Sequence, residues 1–185
     1  MIAASSRVRG RRLSSLALMV EGRAPVQIRP ARSADRVGIA AIIMPTIRTG
    51  TTYALDRHMS EAEAFAYWIG ADKETFVAEE MNTIVGTFYL KPNQAGGGRH
   101  VCNCGYMTLR AAAGRGVARA MCERSIELAK ARGYRAMQFN FVVSTNERAV
   151  RLWQSFDFEV VGRLPGAFDH PADGEVDALV MYRVL

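Results

Sequence analysis

The sequence predicts one mixed α/β (α+β) domain with about seven strands and about four helices. Three observations carry that expectation. The chain has 185 residues, 49% of them hydrophobic and 23% charged, which suits one ordinary globular domain with a sizeable core. Its apolar residues switch between alternation and helical spacing in the order β-αα-βββ-α-β-α-ββ, which is the pattern of a sheet layered with helices. The borders between runs carry cap and turn residues.

"PVQIRPA" (25–31) reads as a first strand. Ser33 and Asp35 then cap an amphipathic helix over 34–48, with Val37, Ile39, Ile42, Ile43 and Ile47 on it. Pro45 has no amide hydrogen and is expected to kink or end that helix. "GTTYALDRHM" is a loop. Ser60 and Glu63 form a capping box and open a second helix through Trp68. "ETFVAEE" and "NTIVGTFYLK" are strands joined by a turn at Met81-Asn82, with Glu79 and Glu80 expected in the solvated turn. "KPNQAGGGR" is a flexible hairpin tip, and "HVCNCGYMTLR" (100–110) is a fourth strand. A third helix covers about 115–131, with Val117, Met121 and Leu128 on one side, until Gly133 stops it. "RAMQFNFVV" (135–143) is a fifth strand. Ser144-Thr145-Asn146-Glu147 reads as another capping box, opening a helix with Ala149, Leu152, Trp153 and Phe156 at helical spacing. "FEVVGRL" and "EVDALVMYRV" close the chain as two strands.

Composition excludes several classes. No apolar run approaches the ~20 residues of a membrane span. The net charge of +6 lies at one end, because residues 1–36 hold eight arginines against Glu21 and Asp35. The remaining 16 basic and 16 acidic residues cancel, which argues against a nucleic-acid face on the folded part. Residues 1–24 are expected to be a basic, disordered extension ahead of a domain over 25–185. An upstream start codon with Met19 as the true start, a transit peptide and a nucleic-acid arm remain open for that segment. Three cysteines (Cys102, Cys104, Cys122) and no good secretory signal point to a reducing, cytoplasmic setting. His58, His100 and His170 have no metal-ligand spacing, so no structural metal is expected.

Between the fourth strand and third helix stands "TLRAAAGRGVARAM" (108–121). Helix starts expose unpaired N–H groups and a positive dipole end, and glycine lets a phosphate approach the backbone. A tight turn explains the glycines equally well on their own. A P-loop is excluded, since Val117 and Ala118 rather than Lys-Ser/Thr follow Gly116. A dinucleotide fingerprint is excluded by Arg119 at its third small position.

The segment resembles motif A of the GNAT acetyltransferases, Gln/Arg-x-x-Gly-x-Gly/Ala. Gly116 and Ala118 match its last positions, Gly114 and Arg115 its common flavour, and Ala113 departs from its first. "STNERAVRLWQSFDFEVVG" is similar to motif B, Asn-x-x-Ala-x-x-Leu-Tyr-x-x-x-Gly-Phe, through Asn146, Ala149, Leu152 and Phe158. Trp153 replaces the usual Tyr and Asp157 the usual Gly. The resemblance covers 25–185 and implies a twisted, mostly antiparallel sheet whose fourth and fifth strands splay around acetyl-CoA. It implies cofactor contacts from Met107 and Thr108, from Gly114, Arg115, Gly116, Val117 and Ala118, and from Asn146 and Trp153. It implies acetyl transfer to an amine by direct attack in a ternary complex, and it leaves a homodimer open.

"HVCNCGYM", "FNFVVSTNE" and "RLW" further resemble a GNAT subgroup that includes fungal acetyltransferases of proline analogues such as azetidine-2-carboxylate. There the fourth-strand asparagine is catalytic and binds the acceptor, which points to Asn103 and, on the fifth strand, Asn140. A structural reading, in which each amide satisfies local backbone, stands beside it. The sequence offers an acetyltransferase of a small amine, of a protein N-terminus or antibiotic amine, or a non-enzymatic acyl-CoA-binding module.

Overall fold

The computed structural model of the protein describes residues 25–185; the expectations for residues 1–24 lie outside the described residues. The strands are β1 (Gln27–Pro30), β2 (Glu74–Glu80), β3 (Thr83–Pro92), β4 (Val101–Thr108), β5 (Ala136–Val143), β6 (Glu159–His170) and β7 (Gly174–Val184). The helices are α1 (Arg36–Thr49), α2 (Glu61–Trp68), α3 (Val117–Ala131) and α4 (Glu147–Gln154). The seven strands make one sheet in the order β1-β2-β3-β4-β5-β7-β6. Its neighbours are antiparallel except β4 and β5, which are parallel and pair only at Val101–Ala136 and Cys102–Met137.

β5 parts from β4 because it is bulged. It advances from Phe139 to Val142 while β7 advances from Met181 to Leu179, so one residue is extra near Asn140–Phe141. A bulge bends and twists its strand. β4 meanwhile stays on β3 from Cys102 to Thr108. The expected splay is present, and its hinge is the end of two residue pairs.

Alternation along the strands feeds two cores. Ile39, Ile42, Ile43 and Ile47 of α1 and Phe65 and Trp68 of α2 bury against Val77, Tyr89 and Met107. On the other face Met121, Cys122 and Ile126 of α3 and Trp153 of α4 bury against Phe76, Phe88, Cys104, Met137 and Phe139. One polar chain inside the α1/α2 side is matched. The Trp68 indole donates to Thr87 Oγ1 at 3.0 Å, and that hydroxyl donates to the Phe76 carbonyl at 2.9 Å.

Local signals fared unequally. The Ser60–Glu63 box is formed in both directions. Met81 and Asn82 both take positive φ, 47° and 61°, as a tight hairpin turn of strands requires. Gly133 follows α3 at φ 78°. Asp157, where the resembling family has glycine, takes φ 58°, a region Asp tolerates better than most residues. Pro45 does not end α1, which runs on to Thr49 and the left-handed Gly50. The carbonyl a proline leaves unpaired is that of exposed Ala41, where water reaches it. The N-cap of α4 is Asn146, accepting from Ala149 N–H at 3.3 Å, and not Ser144. β5 runs to Val143 and needs Ser144 and Thr145 to turn, with Asn146 N–H bonded back to Val143 at 3.0 Å.

α3 lies hard on the sheet at Gly86, where a Cβ would stand 2.8 Å from both Val117 Cγ1 and Met121 Sδ. Val117 is stiff at χ1 and cannot yield cheaply. Gly86→Ala is therefore expected to lower the urea midpoint by an amount equivalent to about 1–3 kcal/mol, the usual cost of overpacking. An unchanged midpoint would show that the first turn of α3 is free to shift.

Candidate active site

Beyond Cys102, one edge of β4 has no strand to bond, and alternation identifies its groups. Asn93 N–H donates to the Val101 carbonyl at 2.8 Å, and Leu109 N–H to the Val85 carbonyl at 2.9 Å. Odd-numbered residues of β4 therefore direct their backbone to β3. Cys104, Tyr106 and Thr108 direct theirs into the gap.

Carboxamides hold the base of the gap. Asn103 Nδ2 donates to the Gln138 carbonyl on β5 at 2.8 Å, replacing the rung the strands no longer make. Gln138 Nε2 donates to Asn140 Oδ1 at 2.8 Å, and Asn140 Nδ2 to Asn93 Oδ1 at 2.7 Å. Asn103 is buried and Asn140 is exposed, and both line one cleft of about 490 Å³.

Tyrosines wall that cleft on the α1/α2 side. Gly105 admits the Tyr89 ring, since a Cβ there would stand 2.6 Å from it. The Tyr89 hydroxyl thereby reaches within 3.5 Å of Asn103 Oδ1. The Tyr53 hydroxyl donates to the Tyr106 carbonyl at 2.9 Å. Burial pushes both phenols up, so they stay neutral donors. Lys91 is the one charged side chain lining the cleft among the described residues. Its Nζ lies 3.4 Å from Asp72 Oδ2, while Lys73 Nζ lies 3.0 Å from Asp72 Oδ1. Two ammonium groups thus share one carboxylate, which they hold below its ordinary range, Lys73 most strongly. All three cysteines are buried free thiols; burial pushes Cys102 and Cys122 up to about 12 and Cys104 well above its ordinary value.

A second groove, about 480 Å³, shares Tyr106, Thr108, Asn146, Ala149 and Trp153 with the cleft and runs out to the glycine loop. Gly114 and Gly116 hold φ of 79° and 84°, where a side chain costs about 1–2 kcal/mol. A Cβ on Gly116 would meet nothing within 4 Å, so the space before the loop is open. The first bond of the α3 ladder is Ala120 N–H to Gly116 carbonyl, 3.0 Å. The Val117, Ala118 and Arg119 amides precede it without helical partners, at the positive end of the dipole. The geometry fits the pyrophosphate of a coenzyme.

The expected site residues do not all gather there. Gly114, Gly116, Val117, Ala118, Thr108, Asn146 and Trp153 line the groove. Met107 borders the cleft but is buried in the α1/α2 core. Arg115 lines neither space. Its guanidinium turns back to Glu80, and its N–H bonds to the Ala112 carbonyl at 3.3 Å. Glu80 is 4% exposed and Glu79 is paired with Arg29 at 2.7 Å, so neither is the solvated turn residue expected. Trp153 packs its ring 4.9 Å from Tyr106 and 5.1 Å from Phe139. His58, His100 and His170 line neither space, and no group of metal-ligating side chains occurs among the described residues. Tyr53, Tyr67, Tyr89 and Lys91 were not anticipated; Tyr89 and Lys91 share one face of β3 by alternation, which marks them only once the cleft is known.

Removing the Asn103 amide strands the Gln138 carbonyl. Asn103→Ala is expected to cost about 1–3 kcal/mol in urea unfolding. Asn103→Asp should cost more at neutral pH, because it faces a carbonyl with an acceptor. An Asp variant as stable as the parent would show that this bond does not hold the gap.

Comparisons with known proteins agree with this geometry. The model of the Acetyltransferase (GNAT) family matches residues 43–158. The N-acetyltransferase aca1 of Schizosaccharomyces pombe is 28% identical, with 72% of each chain covered. A GCN5-related N-acetyltransferase from Kribbella flavida is 41% identical, with a TM-score of 0.80 over 86% of this chain and 98% of that one. A phosphinothricin acetyltransferase from Sinorhizobium meliloti, solved in complex with acetyl-CoA, shares the fold at 21% identity and a TM-score of 0.76, over 86% and 88%. A family match across more than half the chain makes this protein a member of the GNAT family and an acyltransferase.

Proposed function

We propose that this acetyltransferase takes acetyl-CoA as donor and acetylates the amine of a small carboxylate-bearing molecule, an amino acid or proline analogue, by direct attack in a ternary complex. The observation that supports the acceptor class is the charge of the cleft. Lys91 lines it, and no carboxylate does among the described residues. A polyamine or aminoglycoside would find no counter-ion there, whereas a carboxylate would find an ammonium and the exposed Asn140 amide.

Acetyl-CoA supplies an activated acetyl group as its thioester. The residues of this chain bind, orient and exclude water. Backbone N–H groups of Tyr106 and Thr108 face the gap, in position to meet a carbonyl oxygen as it gains charge. The glycine loop takes the phosphates at one end, and the cleft orients the acceptor at the other. The attacking nitrogen forms the new N–C bond and loses a proton, while the departing sulfur needs one. Among the described residues no histidine or carboxylate lines the cleft to take the first, and the Trp153 indole is no useful acid for the second. The first transfer therefore falls to water, the second to water or a neutral phenol of the cleft, and the acceptor amine must arrive neutral.

Thiol release from acetyl-CoA across an amine panel tests the class. Amino acids and cyclic analogues, azetidine-2-carboxylate among them, should exceed their own carboxamides in kcat/KM by ~10-fold, about 1.4 kcal/mol. Lys91→Met should erase that margin. Preference for aminoglycosides or peptide N-termini would replace this reading with the other acetyltransferase one.

The pH profile tests the proton path. Burial raises Tyr53 and Tyr89, so neither becomes a phenolate base at neutral pH. With no cleft base, kcat/KM should rise about tenfold per pH unit up to the amine's own pKa. The limb should move when an acceptor of lower amine pKa is used. A limb fixed near neutrality for every acceptor would reveal an enzyme base instead.

A further inference from the structure

Arg119, Arg148 and Arg151 line the groove beside the glycine loop, and no carboxylate lines it among the described residues. Two of these cations are already occupied. Arg151 pairs with Glu147 at 2.8 Å. Arg119 donates to Ser155 Oγ at 3.0 Å and lies 5.0 Å from the centre of the Phe156 ring. Arg148 forms no ion pair among the described residues and is exposed.

Its position is electrostatically poor for a free protein. Arg148 is the second residue of α4, in the turn where the helix dipole favours an acid and disfavours a cation. The N-terminus of α3 opens onto the same groove, adding a second positive end. Yet the guanidinium lies over the loop: Nη2 stands 3.1 Å from where a Cβ on Gly114 would be. An anion between the loop and α4 would turn each of these repulsions into an attraction.

We propose that Arg148 clamps the pyrophosphate of CoA from the α4 side, facing the amides of Val117, Ala118 and Arg119. The inference rests on the acetyl-CoA reading above. A guanidinium offers a planar fork that matches two phosphate oxygens, which a lysine cannot reproduce. Arg115, the loop's own arginine, is spent on Glu80, so the side-chain cation for the phosphates comes from another element.

The test measures CoA and dephospho-CoA dissociation constants calorimetrically for the parent, Arg148→Ala and Arg148→Lys, with the Tm of each free protein. Arg148→Ala should weaken both ligands by about tenfold, equally, since they share the pyrophosphate. Arg148→Lys should recover part of the loss. The free Arg148→Ala protein should melt at the same temperature or higher, because the helix end loses a repelled charge. Unchanged affinity overturns the proposal. A loss confined to CoA also overturns it, by assigning Arg148 to the 3′-phosphate, and a parallel fall in Tm would make the loss structural. Failure of the parent to bind CoA would sink the acetyl-CoA reading itself, and this proposal with it.

Discussion

Beyond Cys102 and Met137 the fourth and fifth strands cannot share a ladder, because the bulge near Asn140 turns β5 aside while β4 keeps its register on β3. A sheet interior normally leaves no backbone unpaired. Here it leaves the groups of Cys104, Tyr106 and Thr108 facing a gap, and the molecule is arranged around satisfying that gap without closing it. Asn103 spans its base with a single side-chain bond to Gln138. Tyr53 reaches 53 residues along the chain to the Tyr106 carbonyl. The remaining donors are left for a bound molecule.

The glycine loop answers the same constraint from the other side. α3 must start close to the sheet for its amides to reach a ligand in the gap, and Gly86 permits that approach. The Glu80–Arg115 pair then ties the loop to the β2–β3 hairpin. Such a pair is weak evidence for stability, since desolvation offsets much of its attraction. It does fix where the loop begins, which a flexible glycine run does not do alone.

What the sequence disclosed was local. The Ser60–Glu63 box, the Met81-Asn82 turn and the Gly114–Gly116 junction are each set by the chemistry of a few adjacent residues, and each formed. The paired motifs also fixed which strands part. What stayed hidden depends on distant partners. Nothing beside Glu80 announces Arg115, and nothing beside Tyr53 announces β4. Pro45 reads as a breaker until the exposure of Ala41 is known. The bulge in β5 has no sequence mark except that Asn140 breaks an apolar run, and the ring of Tyr89 looks like ordinary strand packing until Gly105 is seen to admit it. The two asparagines were legible as a pair, but their division of labour was not: one is a buried tie, the other an exposed group in the cleft.

The cysteines have a chemical consequence. With acetyl-CoA as the proposed donor, each turnover would liberate a free thiol beside the protein as an exchange partner, and disulfide traffic proceeds through the thiolate. Cys104 borders the cleft itself, yet it is only 6% exposed and its thiol is held protonated by burial, as are Cys102 and Cys122. Burial of the three thiols is expected to slow mixed-disulfide formation between the folded protein and coenzyme A. For the same reason, a chromogenic thiol reagent added during turnover should register the coenzyme and not the protein.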